Sequence, residues 1–157
     1  MATKYWLMKS EPNAYSIDDL VKDKKTYWDG VRNYQARNFM RDDMKKGDKV
    51  LFYHSNAKPT AVVGVCEIVQ EGYPDFTAFD PEAKHFDPKS KEDKPTWMMV
   101  DIKIIEKLKR HVTLEEIKEN PKLQKMRLTQ RGNRLSVMPV EKNEFEEIIK
   151  MSKHKKK

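Results

Sequence analysis

Ala61-Val-Val-Gly-Val-Cys-Glu-Ile-Val69 reads as a strand. It is rich in β-branched residues and too short for a buried helix. Gly64 inside it suggests a bulge, or the close approach of another backbone or a ligand. Upstream, Lys49–His54 is a second apolar strand, and Thr3–Met8 an opening one. Downstream, Met98, Val100, Ile102 and Ile104 alternate with Met99, Asp101 and Lys103, which predicts a strand with one wet face. Leu135–Met138 reads as a last strand, with Pro139 at its exit.

Short helices fall between these strands. Ser16-Ile-Asp-Asp19 has a capping serine and acids in the first turn, and Thr113-Leu-Glu-Glu116 is a capping box. Ala36, Phe39, Met40 and Met44 share a helical face, and Gly47 stands where that helix would stop. Phe145, Ile148 and Ile149 make a closing amphipathic helix. About five or six strands without regular βαβ alternation predict an α+β domain on a small, strongly curved or closed sheet. Between strands, Glu71–Pro95 carries four prolines and no clear periodicity. Segments of that length are usually functional or mobile.

The chain has 157 residues, which suits one domain with a core of its own. One cysteine excludes an intramolecular disulfide framework. No apolar run is long enough to span a membrane, and the start lacks a secretory pattern. The net charge is +7, but four lysines lie in the tail Ser152–Lys157. Without them 28 basic residues face 25 acidic ones, so the folded part is only mildly basic. A protein that tracks phosphates alone would carry more. The expected organisation is one domain over 1–151 and a disordered basic tail over 152–157.

The run Tyr27-Trp-Asp-Gly-Val-Arg-Asn-Tyr-Gln-Ala-Arg37 lacks core periodicity. It mixes aromatic rings with planar hydrogen-bonding groups, as a site for a flat polar ring requires. Rings stack on the faces of a nucleobase, while Asn, Gln and Arg address its edges. Trp28 would either plug one end of a barrel or stack on a ligand; its polar neighbours favour the ligand. Trp97 reads equally as wall or core, and Trp6 reads as core. Arg32 and Arg37 could pair with acids or touch a nucleic-acid backbone. Lys9 and Ser10 follow the first strand and could rim a cavity or form a capped turn. His54, Ser55 and Asn56 follow another strand in the same way, as rim or as loop.

No phosphate-binding glycine loop is present, and four histidines with one cysteine show no metal spacing. Cys66 reads as a buried hydrophobe, and no serine sits in a nucleophile elbow. No catalytic residue, metal or cofactor is therefore expected.

Several blocks together resemble the EVE domain family, of the PUA-like superfamily. They are Tyr5–Pro12, Trp28–Asn38, Phe52–Asn56, Tyr73–Asp75, Asp87–Ser90 and Arg134–Pro139, in order over roughly residues 3 to 150. The resemblance implies a curved mixed β-barrel with peripheral helices. It implies a non-enzymatic reader with a pocket for an extruded, modified base, associated with modified cytosine in DNA or with modified RNA. By analogy with the related YTH readers, Trp28 is the expected cage wall. Lys9, Ser10, Asn33, Tyr34, His54, Ser55 and Asn56 are carried over with it, and Tyr73 and Trp97 are further walls. Arg32 and Arg37 would meet the backbone. The expected partner is nucleic acid carrying a modified base, bound by a monomer, with no membrane. The expected compartment is the bacterial cytoplasm, or the nucleus of a eukaryote. An enzyme or a small-molecule module on the same barrel is the competing reading.

Overall fold

A computed structural model of the protein describes residues 3–131 and 135–153. Arg134 of the last family block and residues 154–157 of the tail lie outside the described residues. The chain runs β1 (Tyr5–Ser10), α1 (Ile17–Asp23), β2 (Lys25–Tyr27), α2 (Tyr34–Asn38), β3 (Lys49–His54) and β4 (Ala61–Pro74). It continues with β5 (Met98–Thr113), α3 (Leu114–Glu119), β6 (Val137–Val140) and α4 (Lys142–Ser152). The strands form one six-stranded mixed sheet in the order β2-β5-β4-β3-β1-β6. Only β1 and β3 are parallel among the described pairs. No ladder joins β2 to β6 among the described residues, so the sheet is curved but open.

Both faces of the central strands are covered. On β1, Trp6 and Met8 enter one apolar layer and Leu7 the other; on β3, Phe52 enters the first and Leu51 and Tyr53 the second. α1 and α2 close the first layer with Ile17, Leu20 and Ala36. α3 and α4 close the second with Ile117 and Ile148. This double burial explains why the central strands read as unbroken apolar runs. On β5 the expected alternation holds at Val100 and Ile102, which are buried, and at Lys103, which is exposed; Met99 departs from it, being buried on the face expected to be wet.

The sheet bends where its register slips. The β4–β5 ladder shifts between Val62 and Gly64, and again at three later steps. A Cβ on Gly64 would lie 2.4 Å from Ile17 Cδ1, so the glycine admits α1 against the bulge. β4 runs on through Pro74, so the first part of the segment expected as irregular is strand. Pro139 lies within β6, not at its exit, which an edge strand tolerates. The capping boxes at Ser16 and Thr113 are both formed. α2 is capped by Asn33 and continues as a wide π-type turn over Phe39–Asp43, burying Ala36, Met40 and Met44.

Candidate nucleic-acid interface

The parallel pair β1–β3 brings two loop starts together. Lys9 lies beside Tyr53 and Ser10 beside His54. The Ser55 amide donates to the Ser10 carbonyl at 3.0 Å. The Ser10 hydroxyl donates to the Tyr15 carbonyl at 2.5 Å. His54 Nε2 accepts from the Ile17 amide at 3.0 Å, so this ring nitrogen is unprotonated and caps the start of α1. These bonds fix the Ser10–Tyr15 turn, which forms one wall of a cavity.

The opposite wall is β2 and the residues after it. Trp28 extends the strand pairing, its amide donating to the Val100 carbonyl at 2.8 Å. Its indole packs edge-on to Phe52, with ring centres 5.5 Å apart, and is 8% exposed. A third wall comes from Lys84 and His85. Two contacts hold it in place. Arg32 donates to the His85 carbonyl at 2.5 and 3.2 Å, and the His85 ring lies where a Cβ of Gly30 would stand, 2.5 Å away. Gly30 also has φ +78°, so it serves both the turn and the close approach.

Beneath this wall sits Asp75, fully buried. It accepts from the Gly30 amide at 2.8 Å, from Arg32 at 3.0 Å, and from the Thr77 amide and hydroxyl at 2.9 and 2.6 Å. Burial pushes its carboxyl up, but Thr77, the Gly30 amide and Arg32 outweigh burial and hold it low.

The cavity so enclosed measures about 840 Å³. That is within the usual range for ligand pockets, roughly 300–1,000 Å³. Three aromatic rings line it: Tyr15, Tyr27 and Trp28. The Tyr15 hydroxyl donates to Asp23 at 2.8 Å; burial and then that bond push its pKa up to about 12. Several polar groups in the cavity have no protein partner among the described residues. Lys9 has no ion pair; its ammonium lies 5.9 Å from the centre of the Tyr53 ring, and burial lowers its pKa. The Asp29 carboxylate and the Trp28 indole N–H make no hydrogen bond. Cation, carboxylate and indole N–H supply both donors and an acceptor to a flat polar ligand.

Of the residues expected to form a site, Lys9, Ser10 and Trp28 line this cavity. His54 and Ser55 stand behind its Ser10 wall, and Asn56 occupies an exposed turn at φ +50°. A second cluster gathers most of the others. Tyr34 stacks on Trp97 with centres 5.0 Å apart, and Arg37 lies 5.0 Å over Tyr34. Arg32 lies 5.3 Å over Trp97. Apart from the exposed Tyr34 hydroxyl, its polar groups are engaged: Trp97 Nε1 donates to Asp87 at 2.6 Å, and Arg37 donates to the Thr96 carbonyl and to Asn38. The Asn33 side chain accepts from the Ala36 amide at 2.9 Å, capping α2. Tyr73 donates to Asp101, the residue paired with Tyr27, at 2.5 Å and does not line the cavity. Tyr15, Thr26, Lys84 and His85 line the cavity but carry no signal in the sequence; Tyr27 and Asp29 flank Trp28 in the aromatic run. Among the described residues no group of three His, Cys, Asp or Glu could hold a metal ion. No helix there is long and apolar enough to cross a membrane.

The comparisons agree with this architecture. The mouse protein "Thymocyte nuclear protein 1" is 45% identical, over 95% of this chain and 74% of its own length. A hypothetical protein of Leishmania major has TM-score 0.91 and 52% identity, covering 96% of this chain and 95% of its own. Human THYN1, solved in complex with 5-methylcytosine-containing DNA, has TM-score 0.91 and 40% identity, over 98% of this chain and 100% of its own. The EVE domain model matches residues 4–151. The chain therefore belongs to the EVE domain family.

Proposed function

We propose that this EVE domain is a non-enzymatic reader of nucleic acid that receives one modified base, a modified cytosine in DNA, in the cavity beside Trp28. The observation that carries the reading is the set of solvent-reachable groups that face an aromatic-lined cavity without a hydrogen bond or ion pair among the described residues: Lys9, Asp29 and the indole N–H, beside Tyr15, Tyr27 and Trp28. The likeness to human THYN1, solved with 5-methylcytosine-containing DNA, supports both the partner and the base.

The chemistry follows from the base. Cytosine offers an exocyclic amine and two acceptors on its pairing edge. Asp29 can accept from the amine, and Lys9 or Trp28 Nε1 can donate to the acceptors. Extruding a base costs a few kcal/mol. Stacking returns about 1–3 kcal/mol, and edge hydrogen bonds must supply the rest. A methyl group adds only about 1–3 kcal/mol by filling apolar space. Selectivity for the modified base is therefore real but modest.

The groups that could act as nucleophile or base support a reader without turnover. Ser10 donates to a carbonyl, His54 Nε2 caps a helix, and burial pushes the Cys66 thiol far up. The basic tail adds sequence-independent attraction. The compartment follows the nucleic acid: cytoplasm in a bacterium, nucleus in a eukaryote.

The test is a tryptophan-fluorescence titration with DNA and RNA oligonucleotides that differ only in one base: cytosine, 5-methylcytosine, 5-hydroxymethylcytosine or N6-methyladenine. The expected result is preferential quenching by a modified-cytosine DNA at two salt concentrations. Equal affinity for every member, falling steeply with salt, would overturn the reading.

A further inference from the structure

The cavity has a neighbour. Tyr27 forms part of the cavity wall, and its ring meets Phe76 edge-on at 5.1 Å. Phe76 in turn lines a second hollow with Phe79, Asp80 and Glu92, of about 530 Å³. The Tyr27–Phe76 pair is thus where the two hollows meet. Both rings are unusually open, at 46% and 49% exposure. Large apolar rings left half-open side by side, next to a candidate site, are more informative than a lone exposed residue.

The charges around the pair are unevenly placed. Lys25 and Lys84, exposed on the rim of the first cavity, have no ion pair among the described residues. The second hollow carries the carboxylates of Asp80 and Glu92. The first cavity also carries Glu11, Asp23 and Asp29, but only there do lysines stand; the second hollow is lined by carboxylates without a cation, so a phosphate is held at the lysines of the first and repelled by the second. A base suits the second, because Phe76 and Phe79 offer ring faces while the carboxylates accept from amino groups.

We infer that the hollow at Phe76 is a second nucleotide subsite, in which the base next to the one held by the main cavity stacks on the half-exposed Phe76 ring, with Tyr27 edge-on beside it. Lys25 and Lys84 hold the phosphates of that strand. The inference rests on the main cavity being the modified-base pocket. It extends that reading from one base to a dinucleotide step. Removing a base from its stack leaves its neighbour without a partner face, and the Phe76 ring supplies one.

A double cycle tests this with the full-length protein. One partner is a DNA oligonucleotide carrying a single 5-methylcytosine, intact or with an abasic residue at the 5′ or the 3′ neighbour. The other is the wild-type protein or Phe76→Ala, with Phe76→Tyr to keep the ring and circular dichroism to check the fold. Wild type should lose about tenfold in affinity when one particular neighbour is abasic. Phe76→Ala should lose the same on intact DNA and nothing more on the abasic one, while Phe76→Tyr stays close to wild type. Preference for 5-methylcytosine over cytosine should persist in all three proteins. If wild type prefers 5-methylcytosine but Phe76→Ala binds intact DNA as well as wild type does, or the two losses multiply, the subsite is wrong and the main pocket stands. If wild type shows no preference at all, the pocket reading fails and the subsite fails with it.

Discussion

Two aromatic clusters in this molecule are built from similar residues and differ in what is left unpaired. Around Trp97, the indole N–H meets Asp87, Arg37 meets a carbonyl and an amide, and Arg32 meets Asp75 and the His85 carbonyl. Around Trp28, the indole N–H, Lys9 and Asp29 make no hydrogen bond or ion pair among the described residues, Lys9 lying only over the Tyr53 ring. No buried side-chain N or O among the described residues lacks a partner, so these open groups face the cavity, where water or a ligand can supply their bonds. The Trp97 cluster is a clamp that fastens α2 to the segment between β4 and β5. The Trp28 cluster is the one we propose as receptive.

The sharpest way to break that division is at Asp75, which ties the two clusters together. Asp75→Ala leaves the Gly30 amide, the Arg32 guanidinium and both Thr77 donors without their acceptor. A loss of about 2–4 kcal/mol in unfolding free energy is expected from denaturant titration. Lys84 and His85 should lose their placement with it, so base selectivity should fall in the same variant. Wild-type stability in Asp75→Ala would show that the clamp is dispensable.

The two tryptophans give the next largest effect. Trp28→Phe keeps a ring against Phe52 but removes the indole N–H from the cavity. Selective affinity should fall about tenfold, roughly 1.4 kcal/mol, with a smaller loss of stability. Trp97→Phe should do the reverse: about 1–2 kcal/mol of stability lost, with preference between modified and unmodified base retained. If the two variants exchange these phenotypes, the receptive cluster has been assigned to the wrong tryptophan.

A smaller effect comes from pH, through the back wall of the cavity. His54 must keep Nε2 unprotonated to accept from the Ile17 amide. Burial lowers its pKa first, His111 and Lys107 lower it further, and Asp18 opposes them. The folded state therefore resists protonation more than the unfolded chain, whose imidazole titrates near pH 6.5. Stability is full above that pH and declines as pH falls through the lowered value in the folded state. The expected decline is about 0.5–1.5 kcal/mol, the worth of one hydrogen bond. His54→Gln should flatten this part of the pH profile of chemical denaturation; an unchanged slope would assign it elsewhere.

What could be read from the sequence was local. β3 spans the expected residues, and both capping boxes formed, because strand patterning and caps depend on neighbours in the chain. Lys9 and Ser10 were legible as cavity-lining candidates for a similar reason, since they close a strand whose end is visible in the pattern, whereas Trp28 stood out only through the polar and aromatic run around it. β2 was not legible. It is three residues long, mostly exposed, and owes its existence to pairing with β5, with Tyr27 opposite Asp101. With β2 missing, the wall holding Lys25, Thr26 and Tyr27 could not be placed. Lys84 and His85 were hidden as well, since only the Asp75 and Arg32 contacts bring them over the cavity.

Asn33 shows how one residue type can belong to either kind of cluster. In the aromatic run it reads as an edge reader for a base. Its side-chain oxygen instead accepts from the Ala36 amide, and α2 begins there. A cap of this kind contributes about 1 kcal/mol, and its loss costs the first turn a hydrogen-bond acceptor. Asn33→Asp can still cap and adds favourable charge at the helix start, so it should retain the stability that Asn33→Ala loses. Neither variant should alter the preference for a modified base in the oligonucleotide titration. Should Asn33→Asp keep its stability yet lose that preference, Asn33 would be a reader as well as a cap. The receptive cluster would then reach across the clamp, and the line drawn between Trp28 and Trp97 would have to move.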